Sequence, residues 1–205
     1  MTFRALLIGD ALVDVTLGAG ASPAKMRLGG VVHAARALWA LNANYEIALI
    51  APNYLQAQAS DYATQHGASK VTVVGTVTGA PNVIVIGEPK EIGFQHYELI
   101  LRDEYHCAFD EKALVSKCAE EFTDILIFPG QYDLQAVLRA CSEAKGRVHI
   151  DIANGVDELK QLEAFRRPFE TIITSTSSEL FLKCFDRSPT RMAEAALKKS
   201  HRFLL

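Results

Sequence analysis

The chain has 205 residues, of which 49% are hydrophobic and 22% are charged, and its formal net charge is -3. This length is enough for one domain with a substantial core, with or without a small appendage. With 21 basic residues against 24 acidic ones, the chain lacks the positive excess typical of proteins that bind nucleic acid or anionic membranes. We find no secretory signal pattern and no apolar run near the ~18 residues of a membrane span. The sequence therefore predicts a cytoplasmic protein without a nucleic-acid or membrane partner.

The cysteines lie far apart in the sequence, and no C-x-x-C pair or zinc-type spacing occurs among them. They are Cys107, Cys118, Cys141 and Cys184. We therefore expect reduced thiols, as in most cytosolic proteins, and predict no metal site from them.

Short apolar runs alternate with stretches of helical spacing, which is typical of a parallel sheet covered by helices. The first strand is predicted over residues 4–8, ending at Gly9-Asp10, and the next over 46–51. Helices are predicted over 31–41 and 55–65. After residue 110 the alternation resumes, with strands over 124–128, 147–151, 171–173 and 202–205 and helices over 111–121, 134–144, 156–165, 178–184 and 192–199.

Residues 70–102 interrupt this alternation. The segment is rich in Val, Ile and Thr and has turn signals at 79–82 and 87–90, so we predict antiparallel or mixed strands. An insertion of this kind can form a lid over one end of the sheet. Its apolar Val83, Val85 and Phe94 are candidates for a lid-to-lid homodimer contact.

Polar residues and glycines follow the first predicted strand. Ligands of open α/β sheets gather at the carboxyl ends of strands, so Asp10 and Asp14 are candidates to accept hydrogen bonds from ligand hydroxyls. Asp10 can equally cap its own turn. Gly29-Gly30 precedes a predicted helix, where paired glycines allow close approach of a ligand or form a plain tight turn. His33, beside them, is the histidine that we retain as a candidate.

A second polar group follows a later strand. Asp151 and Asn154 can hold polar ligand groups or a hydrated Mg²⁺, or can form an Asx turn. Glu179 begins a predicted helix and is either part of that group or a solvated first-turn carboxylate. We find no Walker-type phosphate loop, Rossmann glycine fingerprint, H-E-x-x-H or G-x-S-x-G, which argues against those enzyme classes.

Taken together, these features resemble the ribokinase-like (PfkB-type) family of carbohydrate and nucleoside kinases. The segments that carry the resemblance are Gly9-Asp10 with Asp14, Gly29-Gly30, Leu38-Trp39-Ala40-Leu41, Gln65-His66-Gly67-Ala68-Ser69, Thr78-Gly79-Ala80-Pro81-Asn82-Val83-Ile84-Val85, Phe128-Pro129-Gly130, and Asp151 with Asn154.

The resemblance implies a ribokinase-like sheet with covering helices and a small β-sheet lid. It implies that Asp14, Gly29 and Gly30 bind sugar hydroxyls, and we add His33 and Asn82 as substrate-site candidates. On the phosphate and metal side it places Asp151, Asn154 and Glu179, with ATP and Mg²⁺ as cofactors of the family.

The sequence departs from the family at three places. Ala34 and Thr176 each stand where the family usually has Asn. No Gly-x-Gly-Asp turn follows Gly155, although the family uses that turn to stabilise the transferred phosphate and activate the acceptor hydroxyl.

The expectation is a single incomplete domain over residues 1–205, equivalent to the N-terminal two-thirds of a kinase with its C-terminal portion absent. We expect such a chain not to bind ATP productively, and we identify no catalytic residue. The alternative is a non-catalytic sugar- or nucleoside-binding module of a larger protein.

Overall fold

The computed structural model describes residues 3–17, 23–87, 97–176 and 178–205, with the side chains of 97, 98 and 179 excepted. Within these residues the strands are β1 (Ala5–Thr16), β2 (Lys25–Gly30), β3 (Tyr45–Pro52), β4 (Ala68–Thr78), β5 (Val83–Ile86), β6 (Tyr97–Leu99), β7 (His106–Phe109), β8 (Asp124–Phe128), β9 (Arg147–Asp151), β10 (Phe169–Ile173) and β11 (Ser200–Leu204). The α-helices are α1 (Val31–Ala40), α2 (Asn53–Gln65), α3 (Glu111–Cys118), α4 (Leu134–Cys141), α5 (Glu179–Cys184) and α6 (Pro189–Ala196).

The main sheet has the strand order β11-β10-β9-β8-β1-β3-β4-β7. Its strands run parallel, except that β7 is antiparallel to β4. Apolar side chains cover both faces of the sheet, as the continuous apolar runs of these strands require. Leu6 and Ile8 of β1 face the core shared with α3 and α4, whereas Leu7 faces the core shared with α1 and α2.

The strand β1 extends beyond its predicted end. Residues Ala5 to Asp10 pair with β3, and the chain then continues as a strand from Ala11 to Thr16. The prediction that the strand ends at Gly9-Asp10 was therefore wrong. The backbone does not turn there, because β2 takes over the pairing from Ala11 onward and supplies the hydrogen bonds that β3 no longer provides.

A second, smaller sheet forms the lid, which we define as Ala11–Thr16 of β1 together with β2, β5 and β6. In it β2 is antiparallel to β1, β5 is parallel to β1, and β6 is antiparallel to β5. The predicted lid boundaries of about 70–102 need correction, since β4 lies in the main sheet and pairs with β3. The lid instead recruits Lys25–Gly30, which lies outside those boundaries.

The helix predicted over 156–165 was also wrong, because only a short 3₁₀ helix, Leu159–Leu162, is present. Oε1 of Gln161 accepts hydrogen bonds from the backbone N–H groups of Asp157 at 2.7 Å and Glu158 at 2.8 Å. Side-chain bonds to nearby backbone donors of this kind compete with helix extension. The predicted last strand is confirmed as β11, which pairs with β10.

Opposite the lid, at the amino ends of the strands, a buried ion-pair network joins β3 to α3. Glu46 bonds to Lys117, whose side chain is 2% exposed, and Nε of Arg4 donates to Glu46 at 3.1 Å. Burial acts to raise the pKa of Glu46, but the hydrogen bonds from Lys117 and Arg4 outweigh it and lower the pKa. Each buried charge of this network is therefore stabilised by its partner, and removing one partner leaves the other without compensation for its lost hydration.

We predict that Lys117→Met lowers the free energy of unfolding by about 3–5 kcal/mol, because it removes the buried one of the two cationic side chains that are bonded to Glu46. The control is Lys145→Met, since the Lys145–Glu121 pair is exposed on both sides and should contribute at most about 0.5 kcal/mol. Urea unfolding of both variants measures the difference. Equal losses in the two variants would show that the network does not stabilise the fold.

Candidate functional site

The carboxylate of Asp14 lies on the part of β1 that belongs to the lid, and its side chain is 8% exposed. Oδ2 of Asp14 is 2.9 Å from Nε2 of His33 and 3.4 Å from Nε of Arg27. An ionised carboxylate can only accept hydrogen bonds, so Nε2 of His33 is the donor in this contact. Asp14 is therefore held between an arginine of β2 and a histidine of α1.

Gly29 and Gly30 allow α1 and β2 to approach β1 closely. A Cβ atom at Gly29 would lie 2.2 Å from Oδ1 of Asp14, and one at Gly30 would lie 2.1 Å from the carbonyl oxygen of Asp10. Gly30 also has a φ of 65° at the start of α1, a conformation that favours glycine. The close approach at the double glycine is between parts of the chain itself, with Asp14 against Gly29 and Asp10 against Gly30. The approach of a ligand to these glycines stays a prediction.

Asn82 lies at the base of the lid and is completely buried. Its Nδ2 donates to the carbonyl oxygen of Ala11 at 2.6 Å, and its own carbonyl oxygen accepts from the backbone N–H of Val13 at 3.0 Å. Its Oδ1 has no hydrogen-bond partner among the described residues. The structure thus places Asn82 just before β5, where its hydrogen bonds join the start of that strand to the lid part of β1.

Asp10 is a buried carboxyl group at the carboxyl end of the parallel strands, with 6% of the residue exposed. Its Oδ2 lies so close to Gly130 that a Cβ there would be 2.7 Å away. Burial raises the pKa of Asp10 to about 7. Burial, together with the charge of Asp10, also raises the pKa of Cys107 to about 11 and that of Tyr105 further. Asp10 lies inside β1, so the turn that it could have capped is absent.

Of the residues predicted for the phosphate and metal side, the structure describes the side chains of Asp151 and Asn154. Oδ1 of Asp151 accepts a hydrogen bond from the backbone N–H of Ala153 at 3.0 Å, which is the Asx turn that the sequence left open. Asn154 is exposed. Glu179 is the first residue of α5, and its side chain lies outside the described part of the structure. Burial raises the pKa of Asp151.

Arg27 and Lys25 lie on the same side of the lid as Asp14, and the sequence did not predict them as candidates. Both lie on β2, and the cross-strand pairs Asp14 with Arg27 and Thr16 with Lys25 place them on one side of the lid. The alternation of charged and apolar residues over 25–29 is the signal that could have identified this strand. It was overlooked because the segment is only six residues long and ends in two glycines.

On the opposite side of the lid, the residues that β1, β2 and β5 contribute are apolar. Val15 pairs with both Met26 and Val85, and Val13 pairs with Val83. Met26 is 71% exposed. Phe94, the third residue named for a homodimer contact, lies outside the described residues, so that contact stays a prediction.

Two features are absent from the described residues. We find no helix there with the length and apolarity needed to cross a bilayer. Likewise, in the described ranges, His, Cys, Asp and Glu side chains do not gather in threes at any point that could hold a metal ion.

The sequence matches no model of a known protein family and no curated protein. Solved structures, however, share its fold. A possible 1-phosphofructokinase from Thermotoga maritima superposes with a TM-score of 0.61 at 12% identity, covering 98% of this chain and 71% of that one. A fructokinase with bound ATP from Xylella fastidiosa has a TM-score of 0.60 at 12% identity, covering 97% and 66%. A ribokinase from Thermotoga maritima has a TM-score of 0.56 at 13% identity, covering 96% and 68%.

These likenesses confirm the predicted fold class. The chain has the ribokinase-like fold of PfkB-type carbohydrate kinases, with a mostly parallel α/β sheet and a smaller β-sheet beside it. It spans between 66% and 71% of the length of these three neighbours.

We predict that Asp10 makes the stability of the fold depend on pH. Its pKa is raised from 3.8 to about 7, so between about pH 4 and 7 the folded chain binds this proton more tightly than the unfolded chain. The contribution of Asp10 to the free energy of unfolding therefore falls as the pH rises through this range, by up to about 4 kcal/mol.

The Asp10→Asn variant should then be more stable than the wild type at pH 8, and the difference should shrink towards pH 4. Urea unfolding across this range measures it, with Asp103→Asn, a change at an exposed residue, as the control. A difference that does not change with pH would contradict the assignment to Asp10.

Proposed function

We propose that the chain provides the substrate-binding side and the lid of a ribokinase-like kinase that acts on a sugar or nucleoside. The observation that carries the proposal is the position of Asp14. Its carboxylate lies on a lid strand, against Gly29 and within hydrogen-bond distance of His33. The fold neighbours are sugar kinases, which supports this class of ligand.

The chain's own residues suit the recognition of hydroxyl groups. Carboxylate oxygens accept hydrogen bonds from ligand hydroxyls, and a ligand that reaches Asp14 meets the start of α1 and the imidazole of His33 at the same point. Since Asp14 is part of β1, a ligand bound to Asp14 is also attached to the central strand of the lid. Closure of a lid excludes water, which protects a phosphoryl group from hydrolysis.

The described residues do not fit the ATP and Mg²⁺ of this kinase class. Asp151 is engaged in its own turn, and no glycine follows Gly155 that could form the expected phosphate-binding turn. We therefore derive no step through either cofactor. Phosphoryl transfer from ATP to a substrate hydroxyl is proposed for a protein in which these groups are supplied in addition to this chain.

A non-catalytic binding module is the second candidate. Two sequence features favour it, namely Ala34 and Thr176, which replace two Asn residues of the resembled family. Ala34 lies on α1, one residue after His33, so the site lacks an amide that could both donate and accept. The two candidates share the same binding site and differ in chemistry alone.

We predict that at least one sugar, sugar acid, sugar phosphate or nucleoside raises the melting midpoint of the chain, because a ligand that prefers the folded state stabilises it. Asp14→Asn should weaken that ligand about 10- to 100-fold, since it removes a charged acceptor of hydrogen bonds. Asp61→Asn on α2, an exposed aspartate away from the site, serves as the control. Calorimetry measures the affinities, and equal affinity in wild type and Asp14→Asn would rule out this site.

We also predict that this chain alone yields no ATP-dependent product. A coupled assay with ATP, Mg²⁺ and the ligands found above tests this, with a complete sugar kinase as the positive control. Sustained product formation by the purified chain would show that the catalytic groups are present after all and would exclude the binding-module candidate.

A further inference from the structure

The side of the lid that carries Asp14 has an excess of hydrogen-bond donors. Asp14 pairs across the strands with Arg27, and Thr16 pairs with Lys25, so these four side chains share one side. The next lid strand contributes Ile84 and Ile86 opposite Asp14 and Thr16, and both are apolar. This side of the lid thus carries one carboxylate, which lies against Arg27, and a second cationic side chain, Lys25, further along β2.

The single carboxylate is already engaged. Oδ2 of Asp14 meets both His33 and Arg27, which leaves Oδ1, above Gly29, as its remaining acceptor. A neutral polyol site needs acceptors for hydroxyl protons, and this site offers few of them. It offers many donors, because a guanidinium has five N–H groups and an ammonium has three.

Arg27 and Lys25 remain available to a ligand. The side chain of Arg27 is 57% exposed, and its Nε is the atom near Asp14. Lys25 is exposed, and within the described ranges no acidic side chain pairs with it. The whole chain has a net charge of -3, so a local excess of positive charge here is not a consequence of its composition.

We propose that the ligand of this site is a sugar or nucleoside that carries an oxyanion, either a phosphate ester or a carboxylate, and that Arg27 and Lys25 bind the oxyanion while Asp14 and His33 bind hydroxyls. Arginine suits this role because its planar fork matches both groups in bidentate geometry. The inference rests on the proposed function and narrows its substrate class.

Calorimetry with matched ligand pairs tests the proposal on the full chain. The pairs are a hexose with its 6-phosphate, a hexose with the corresponding uronate, and a nucleoside with its 5′-monophosphate. The anionic member of at least one pair should bind at least tenfold more tightly than the neutral member. Arg27→Gln should reduce that preference about tenfold, and raising the salt concentration should reduce it in the wild type.

Two further variants and inorganic phosphate test whether the preference for the anionic ligand depends on these two cationic residues. Arg36→Gln removes an exposed arginine of α1 and should leave the preference unchanged. Lys25→Gln should lower it, which keeps the proposal testable if Arg27→Gln fails to fold. Inorganic phosphate alone should bind more weakly than the sugar phosphate, because it cannot reach Asp14.

The outcomes separate the two proposals. Equal affinities within every pair, or a preference that survives both Arg27→Gln and Lys25→Gln, would overturn the oxyanion assignment and leave the sugar site standing. Inorganic phosphate that binds as tightly as the phosphorylated sugar would also overturn it. If no ligand of any pair binds, the proposed function fails and this inference fails with it.

Discussion

The 12 residues of β1 connect the two sheets of the molecule, and the rest of the candidate site depends on that continuity. Its first half lies at the centre of the main sheet between β3 and β8, and its second half is the central strand of the lid between β2 and β5. One strand therefore positions Asp10 at the carboxyl edge of the main sheet and Asp14 in the lid. A strand paired on both sides holds both carboxyl groups more firmly than a loop would, and Asn82 joins the start of β5 to this strand through its bonds to Ala11 and Val13.

The two carboxyl groups of β1 have different surroundings and therefore different properties. Asp10 is buried beside Gly130 and the aromatic Tyr105, and without a counter-charge its pKa rises to about 7. Asp14 has Arg27 and His33 within reach of one oxygen. Both residues are buried, but Asp14 differs in that its partners Arg27 and His33 are themselves partly exposed. This contrast is why we assign ligand binding to Asp14.

Much of the fold could be predicted from the sequence, because continuous apolar runs such as Ala5–Ile8 and Asp124–Phe128 mark buried parallel strands. Which strands pair with each other, and over which residues, was harder to predict from the sequence. Gly9-Asp10 has the composition of a turn, yet pairing with β3 at these two residues and with β2 from Ala11 onward keeps the backbone extended. The sequence therefore placed the lid boundaries too late in the chain. Of the residues predicted for the site, the structure brings Asp14, Gly29 and His33 together. Arg27 was missed because its role depends on a cross-strand register that no local pattern specifies. Conversely, Asn82 was predicted to bind substrate, and its complete burial at the lid base could not be read from the sequence.

The central claim is that the ligand site and the lid are one unit, joined through β1. Amide hydrogen exchange of the chain, with and without a ligand that stabilises it, tests this claim most directly. The account predicts that the ligand slows exchange at backbone amides of β2 and β5 as well as around the start of α1, because Asp14 transmits the contact to the strands paired with it. Slower exchange confined to the main sheet, with lid amides unchanged, would contradict it.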